Sequence, residues 1–288
     1  MGTPADEQFG PAVVESAIAR LRDQATRLAD YASLLEAGVE RGVNTRLDDD
    51  DAENRGLDQP RAEHYFDVGA DAVRVIVNAL VAAGCPPPAT ILDYPSGSGR
   101  VTRHLQAAFP DATITAADLY ESHVEFCRRE LGVEGMVTPE DVTGYDFGRH
   151  YDLVFCGSLL THLPRRRAVA VLQLIARSLR PGGLAVVTTH GRRSDVLQRN
   201  AFKYIEDRRY RRARGAAVAT GFGYVDYEHG FRTSHFGKQR RYGLALTRPS
   251  WTVRQLLRLD GVRLAGYLEM AWDAHHDVVC IQRSPIDD

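Results

Sequence analysis

The sequence predicts an α/β domain with a mostly parallel sheet, preceded by a helical segment. Two observations predict this class. From about residue 61, short apolar runs that suit buried strands alternate with amphipathic stretches that suit helices. A glycine-rich turn follows the first of these strands, and an acidic residue ends the second. Ligands of such sheets bind beyond the carboxyl ends of the strands, so both features belong to one predicted site.

The composition bounds the cellular setting and the partners. The chain has 288 residues, is 26% charged and has a formal net charge of −2, which gives no overall attraction to nucleic acid or to anionic lipid. The sequence has no apolar run of membrane-spanning length and no secretory pattern at its N-terminus. Its cysteines show no paired metal-ligand spacing. We therefore expect a cytoplasmic protein that binds neither membrane nor nucleic acid.

Residues 1–60 are predicted to form an amphipathic helix followed by an acidic linker. Apolar residues recur in steps of four and three, which places them on one helix face. Such a seam fits either a homodimer or packing of the helix on the chain's own domain, and both interpretations stay open. The aspartates at 48–51 are predicted to be a solvated linker, because adjacent carboxylates repel one another. The seam consists of Val14, Ile18, Leu21, Ala25, Leu28, Ala32, Leu35 and Val39.

The domain predicted for residues 61–288 begins with a regular succession of helices and strands. Gly84 and the following prolines end its first helix, Pro110 ends the second, and Pro164 suits the first turn of the fourth. Helices are expected at about 69–83, 100–109, 121–131 and 164–179. Strands are expected at about 90–93, 112–118, 151–156 and 184–189, with a turn at 181–183 before the last of them.

The turn after the first strand predicts a cofactor that contains adenosine. Gly97 and Gly99 allow the backbone to approach a ligand closely. Asp118 ends the second strand, where an acid holds ribose hydroxyls in nucleotide-binding sheets. Thr102 occupies the third small position of the dinucleotide fingerprint, so that fingerprint is incomplete. The turn alone leaves NAD and other adenosine cofactors open.

The downstream segments resemble the class I S-adenosylmethionine-dependent methyltransferases. Residues 155–163 read FCGSLLTHL and residues 179–183 read LRPGG, in the family's order of strand, loop, helix and turn. The resemblance covers about residues 65–283 and extends to a bacterial subgroup of unassigned substrate. It implies a Rossmann-like seven-stranded sheet with helices on both faces. The last strand, about 277–283, is expected to be antiparallel.

The resemblance also implies S-adenosylmethionine as the cofactor and assigns residues around it. Asp93, Gly97 and Gly99 would line its methionine and ribose side. Asp118 would hold the ribose hydroxyls, and Leu119 would pack beside the adenine.

Two further pairs of residues match the family by position. Asp141 and Val142 correspond to the acidic and apolar pair at the adenine edge, and Gly157 and Ser158 would face the methionine portion. Pro95 departs from the family, because it stands where a first glycine is common.

Three histidines at strand ends are candidate catalytic residues. His162 follows the strand at 151–156, His190 follows the strand at 184–189, and His276 precedes the last strand. A sulfonium methyl is already activated, so alignment matters most, but a hydroxyl acceptor also benefits from a base such as histidine. Each of these histidines has a structural alternative, bonding to a helix end or a loop. We expect no metal site, because the histidines and aspartates are scattered along the sequence.

Residues 191–248 are predicted to be a basic insertion that bears on the acceptor. They contain fourteen Arg or Lys residues against five Asp or Glu residues, and the run at 208–214 is expected to be a loop. With its tyrosines, this segment favours a phosphorylated or nucleotide-linked acceptor. The alternative is a solvated surface that pairs with the acidic linker. Segments 221–224 and 243–249 resemble short strands of a lid. The tyrosines are Tyr204, Tyr210, Tyr224, Tyr227 and Tyr242.

The sequence therefore predicts methyl transfer from S-adenosylmethionine to a small acceptor, foremost a hydroxyl of a sugar-like molecule or natural product. The alternatives are N-methylation, an NAD(P)-dependent oxidoreductase or epimerase, and a scaffold that binds cofactor without catalysis. Thr102 and the lack of a Tyr-x-x-x-Lys pair count against the oxidoreductase.

Overall fold

A computed structural model describes residues 11–49, 51, 59–202, 205–228 and 241–285. The helices are α1 (Pro11–Arg41), α2 (Gln59–Ala83), α3 (Thr102–Ala108), α4 (Glu121–Phe126), α5 (Arg165–Ser178), α6 (Arg192–Leu197), α7 (Asp207–Thr220) and α8 (Pro249–Leu256). Helices α4 and α6 continue as π-helical turns, Cys127–Leu131 and Gln198–Phe202. The strands are β1 (Thr90–Asp93), β2 (Thr113–Asp118), β3 (Glu134–Val137), β4 (Tyr151–Cys156), β5 (Leu179–His190), β6 (Phe222–Asp226), β7 (Gly243–Thr247), β8 (Val262–Trp272) and β9 (His276–Arg283).

Seven strands form one sheet in the order β3-β2-β1-β4-β5-β9-β8. Strands β1 to β5 pair with one another in parallel, whereas β9 is antiparallel to both β5 and β8. The predicted sheet and its antiparallel last strand are confirmed. The expected turn at 181–183 is instead a bulge within β5, because the register jumps from Leu179 opposite Tyr151 to Leu184 opposite Leu153.

Both faces of the central strands are buried, which confirms helices on both sides of the sheet. Leu153 and Phe155 of β4 belong to a core shared with α2 and α3. Val154 and Cys156 alternate with them and enter the opposite core, beneath α5 and the inserted elements. This alternation follows from the two-residue period of a strand, and it explains why β4 is apolar almost throughout.

Helix α1 packs on the chain's own domain with only part of its apolar seam. Its C-terminal half packs on the domain, where Tyr31 is buried and donates a hydrogen bond to the carbonyl of Cys85 at 3.2 Å. Leu35 is partly buried in the same core. By contrast, Leu21 and Leu28 remain exposed, and the side chain of Val14 lies outside the described residues. Self-association through this exposed part stays a prediction.

The acidic linker is not a solvated segment where the structure describes it. The Asp51 side chain is only 5% exposed and accepts a hydrogen bond from the Tyr65 hydroxyl at 3.1 Å. Asp48 accepts one from the Ser98 hydroxyl at 2.6 Å, and only Asp49 is exposed. The prediction of a solvated linker was therefore wrong for Asp48 and Asp51. Hydroxyl donors from the glycine turn and from α2 stabilise these carboxylates, and mutual repulsion does not decide their position.

Arg103 of α3 fastens the N-terminal segment to the glycine turn. Its guanidinium group is buried and donates to four backbone carbonyls, each between 2.7 and 3.2 Å away. Two of them belong to Asn44 and Arg46 in the segment after α1, and two belong to Ser98 and Gly99 in the turn. One buried cation thus holds two separate pieces of chain at the carboxyl end of β1.

The basic insertion is more regular than its sequence suggested. The run at 208–214 lies in helix α7, so the predicted basic loop was wrong there. Several of its cations pair within the insertion: Arg214 is 3.0 Å from Asp195, and Arg209 donates to the carbonyl of Asp226 at 2.7 Å. Strands β6 and β7 form an antiparallel ribbon against α7. Tyr204 lies outside the described residues.

The helices in the described part of the chain include none that is long and apolar enough to span a membrane.

Replacing Arg103 with lysine should weaken the fold. An ammonium group cannot reproduce the planar fork, so we expect at least two of the four hydrogen bonds to be lost, at a cost of roughly 2–4 kcal/mol in the free energy of unfolding. Urea denaturation measures this cost. Arg149→Lys is the matched control, because the exposed Arg149–Glu134 ion pair should contribute less than ~0.5 kcal/mol. Equal losses in the two variants would contradict the proposed anchoring role.

Candidate active site

The predicted cofactor residues meet at the carboxyl ends of β1, β2 and β4. Asp93 and Asp118 end adjacent parallel strands, and the register pairs Asp93 with Ala116. The backbone N–H of Gly97 donates to a carboxylate oxygen of Asp118 at 3.0 Å. The glycine turn and the second strand are therefore joined directly, as their positions in the sequence predicted.

The two glycines of the turn have different physical roles. Gly97 has a φ of +51°, and a Cβ there would meet no atom within 4 Å, so its face is open. Gly99 has a φ of +83°, but a Cβ there would lie 2.4 Å from Cδ1 of Leu131. Gly97 therefore offers the space that a ligand needs, whereas Gly99 also permits close packing against the turn that follows α4.

Asp93 is a buried acid at the base of the turn. The hydroxyl of Thr102 donates to its Oδ2 at 2.6 Å, and its side chain is 1% exposed. Burial, with a smaller contribution from the charge of Asp118, raises the pKa of Asp93 to about 7 against the opposing effect of the Thr102 hydrogen bond. Thr102 does not fit the dinucleotide fingerprint, and the structure shows it as the hydrogen-bond partner of Asp93.

Asp118 is held in place by backbone donors. One oxygen accepts from Gly97 and the other from the N–H of Tyr120 at 2.9 Å. The His123 ring lies 3.4 Å from Asp118. Burial lowers the pKa of His123, but the hydrogen bond and charge of Asp118, with Asp51 and Asp48, raise it overall. His123 therefore lies near three carboxylates, those of Asp48, Asp51 and Asp118. We refer to these residues, together with Asp93 and the glycine turn, as the cofactor corner.

The remaining predicted residues at the adenine side differ in exposure. Leu119 is half-buried beside Asp118. Val142 is buried, while Asp141 is exposed and accepts from the N–H of Thr143 at 3.0 Å. That hydrogen bonding lowers the pKa of Asp141.

The loop after β4 connects this corner to the histidines. A Cβ on Gly157 would meet Phe155 at 2.7 Å, so the glycine allows the loop to pack on that ring. Ser158 has a φ of +54°, uncommon for a residue with a side chain, and its N–H donates to the Thr188 hydroxyl at 2.9 Å. Its Oγ lies 3.4 Å from Nε2 of His276.

His190 and His276, two of the three predicted catalytic histidines, lie together with His275. The sequence analysis did not select His275. The rings of His190 and His276 stack with centroids 5.0 Å apart, and His275 lies 4.0 Å from His276. Desolvation by burial, together with the neighbouring imidazoles, holds the pKa of both His190 and His276 well below its usual range. Both rings are therefore neutral at pH 7. We refer to His190, His275 and His276 as the histidine cluster.

His162 lies beside this cluster under the insertion. Its ring is 5.8 Å from that of His190 and stacks on Tyr242 at 4.7 Å. Its Nδ1 is 2.9 Å from the carbonyl of Gly243 in β7 and 3.2 Å from the Tyr227 hydroxyl. The insertion thus supplies two buried tyrosines and a carbonyl that fix the orientation of this histidine.

The sequence analysis missed several residues of the site. Asp48 and Arg103 contact the glycine turn, and Tyr65 bonds to Asp51 and lies beside Arg103. The acidic run was interpreted only as a solvated linker, and no motif marked Tyr65 or Arg103. His275 was visible as the first member of a His-His pair, but only the second member was selected.

The raised pKa of Asp93 predicts a pH-dependent stability. Because its folded pKa, about 7, exceeds the ordinary 3.8, its contribution is complete below pH 3.8 and is lost as the pH rises towards 7. Relative to Asp93→Asn, the wild type should lose about 2 kcal/mol or more of unfolding free energy between pH 5 and pH 7. Urea denaturation of both proteins at each pH measures this difference. Asp111→Asn, at an exposed site, is the control. If the difference in unfolding free energy between the wild type and Asp93→Asn is the same at pH 5 and pH 7, the raised pKa of Asp93 is contradicted.

Comparisons with known proteins agree with this architecture. Residues 91–183 match the family described as a methyltransferase domain. A malonyl-[acyl-carrier protein] O-methyltransferase from Methylococcus capsulatus is 31% identical over 150 residues, which cover 48% of this chain and 54% of the relative. The corresponding protein from Anoxybacillus flavithermus is 25% identical over 141 residues, or 48% and 53%. The chain thus spans about half the length of these curated relatives.

Solved structures share the fold. The 1,6-didemethyltoxoflavin-N1-methyltransferase of Burkholderia thailandensis, with bound S-adenosylhomocysteine, superposes with a TM-score of 0.50 at 14% identity, covering 98% of this chain and 94% of that one. An S-adenosylmethionine-bound amino pentose methyltransferase from Micromonospora echinaspora gives 0.52 at 16% identity, with coverages of 81% and 99%. Residues 91–183 are therefore similar to a methyltransferase domain, and the chain shares the Rossmann-like fold of these two solved methyltransferases.

Proposed function

We propose that this chain transfers a methyl group from S-adenosylmethionine to a hydroxyl of a small-molecule acceptor. The observation that carries the proposal is the contact between Ser158 and His276, with Oγ and Nε2 3.4 Å apart. It joins the corner that contains the glycine turn and Asp118 to the histidines. A methyl donor and an acceptor must lie in adjacent halves of one cleft, and this contact supports that arrangement.

The cofactor half fits an adenosine ligand. Each carboxylate oxygen of Asp118 accepts one backbone N–H and keeps capacity for a ribose hydroxyl. The open face of Gly97 leaves room beside it. The family resemblance assigns the other residues of the cofactor half. The residues assigned to the ribose and methionine are Asp93, Gly99, Gly157 and Ser158, and those assigned to the adenine are Leu119, Asp141 and Val142.

His162 is the proposed base in the acceptor half. A carbonyl can only accept, so the 2.9 Å approach of Gly243 to Nδ1 places the ring proton on Nδ1 and the lone pair on Nε2. The neutral form of His162 would therefore take the hydroxyl proton at Nε2 as the acceptor oxygen bonds to the methyl carbon, and the bond from that carbon to the cofactor sulfur would break to leave S-adenosylhomocysteine. The buried rings of His190 and His276 are poor proton acceptors, because burial disfavours their charged forms. When bound, S-adenosylmethionine supplies the activated methyl group.

The curated relatives support oxygen as the methylated atom, since both are named as O-methyltransferases. The structural neighbours include a methyltransferase named for a nitrogen position, so N-methylation is the alternative that an acceptor assay must separate. Because arginines of the insertion pair with Asp195 and Asp226, we propose a small acceptor without assigning it a charge.

Cofactor binding is the first test. Titration calorimetry should detect S-adenosylhomocysteine and S-adenosylmethionine but not NAD, because the turn lacks the third small residue of the dinucleotide fingerprint. Binding of NAD alone would overturn the proposal. Asp118→Ala should weaken S-adenosylhomocysteine binding by at least ~1 kcal/mol through lost charge-assisted hydrogen bonds. The exposed Asp111→Ala is the control and should bind like the wild type.

His162→Gln should slow methyl transfer without loss of cofactor. Removing a general base typically costs 10²–10⁴-fold in rate, so kcat with a hydroxyl acceptor should fall by roughly that factor. The assay follows labelled methyl transfer from S-adenosylmethionine into a panel of sugar-like and natural-product alcohols and amines. Affinity for S-adenosylhomocysteine should not change in this variant. Unchanged kcat would exclude His162 as the base, and exclusive labelling of amines would replace O-methylation with N-methylation.

A further inference from the structure

We propose that the histidine cluster, His190, His275 and His276, binds a divalent first-row transition-metal ion of the zinc type. This site goes beyond the proposed methyl transfer and does not depend on it. Strand β5 ends in the first ligand, β9 begins with the third, and the hairpin turn between β8 and β9 supplies the second. Antiparallel pairing of His190 with His276 in adjacent strands brings ligands far apart in sequence together.

The geometry is close to that of a metal site. One ring nitrogen from each histidine lies within 4.8 Å of the other two. Zinc holds imidazole nitrogens at about 2.0–2.1 Å, which places tetrahedral ligands roughly 3.4 Å apart. Modest ring rotations therefore bring the three nitrogens to a common ion. The His190 and His276 rings are stacked at an interplanar angle of 13°, so one ring must rotate for both lone pairs to point at the same ion.

The hydrogen-bond pattern leaves nitrogens that an ion would satisfy. Nδ1 of His190 and Nδ1 of His276 have no hydrogen-bond partner among the residues that the structure describes, and the two side chains are only 7% and 5% exposed. Buried polar atoms without partners are rare because they cost free energy. Nδ1 of His275 lies 2.6 Å from the carbonyl of Asp273, which fixes its proton there and leaves the lone pair on Nε2. Such a carbonyl partner is typical of metal-binding histidines.

The donor set indicates the class of ion. Three imidazole ligands suit zinc, nickel, copper and iron, whereas magnesium and calcium prefer oxygen ligands. The nearby carboxylate of Asp277 is committed elsewhere, because it accepts from the Tyr267 hydroxyl at 2.8 Å and from the N–H of Met270 at 3.1 Å. Three protein ligands leave coordination positions for water or for an oxygen of a small molecule, as in catalytic zinc sites.

Zinc binding to the full-length, tag-free protein tests this proposal. After treatment with a chelator, calorimetry with zinc chloride should show one tight site per chain. X-ray absorption of the zinc complex should show imidazole nitrogens at about 2.0–2.1 Å. His190→Gln and His276→Gln should each weaken zinc binding at least ~100-fold, since loss of a ligand exceeds the cost of losing its outer partner.

Two further variants keep the result interpretable. His275→Gln changes a half-buried ligand, so it should keep the fold and still lose zinc affinity. His150→Gln removes an exposed histidine far from the cluster in sequence and should bind zinc like the wild type. Absence of a one-equivalent site, or a site unchanged by His190→Gln, His275→Gln and His276→Gln, would overturn the proposal. Circular dichroism without zinc identifies any variant that fails to fold. S-adenosylhomocysteine titration of the metal-free protein tests the proposed function separately.

Discussion

The site depends on one buried cation, the guanidinium of Arg103. It donates to carbonyls of the segment after α1 and of the glycine turn, and every one of these acceptors is a backbone group. A buried charge satisfied by neutral carbonyls is stable only if all donors keep their partners. The Tyr65 and Phe66 rings lie 5.6 and 5.7 Å away and complete its surroundings. The shape of the turn and the path of the N-terminal segment are therefore coupled.

This coupling brings negative charge to the cofactor corner. Fastening of Asn44 and Arg46 allows Asp48 to reach Ser98 in the turn, and Asp51 to reach Tyr65. Asp118 lies in the same corner, and burial raises the pKa of Asp93 so that one acid can hold a proton near neutral pH. This part of the site therefore combines the carboxyl groups of Asp48, Asp51 and Asp118 with that of Asp93, whose protonated form burial favours. Since all four residues are aspartates, the surroundings of Asp93 and not its residue type cause this preference.

Sequence predicted the parts of the fold that rest on local pattern. Strands β1, β2 and β4 are short apolar runs bounded by turn residues, and their ends located Asp93, Asp118 and Ser158. Strand β3 is only partly buried, so its sequence lacks the apolar signal, and the basic run at 208–214 hid a helix because charged residues favour helix and loop alike. The contacts of Arg103 and Asp48 join residues about fifty positions apart, which no local pattern encodes.

His162 and the histidine cluster show why residue type alone does not assign a chemical role. Nδ1 of His162 lies 2.9 Å from the carbonyl of Gly243 in β7, and its ring stacks on Tyr242. The insertion therefore sets the orientation of this histidine. His190 and His276 instead lie on paired strands, where burial lowers the pKa of both rings and no described residue bonds to Nδ1 of either. A neutral imidazole that cannot readily take a proton still offers a lone pair to a metal ion. The burial that makes these two rings poor bases is compatible with their proposed role as metal ligands, and in the proposed methyl transfer His162, which the insertion positions, takes the proton.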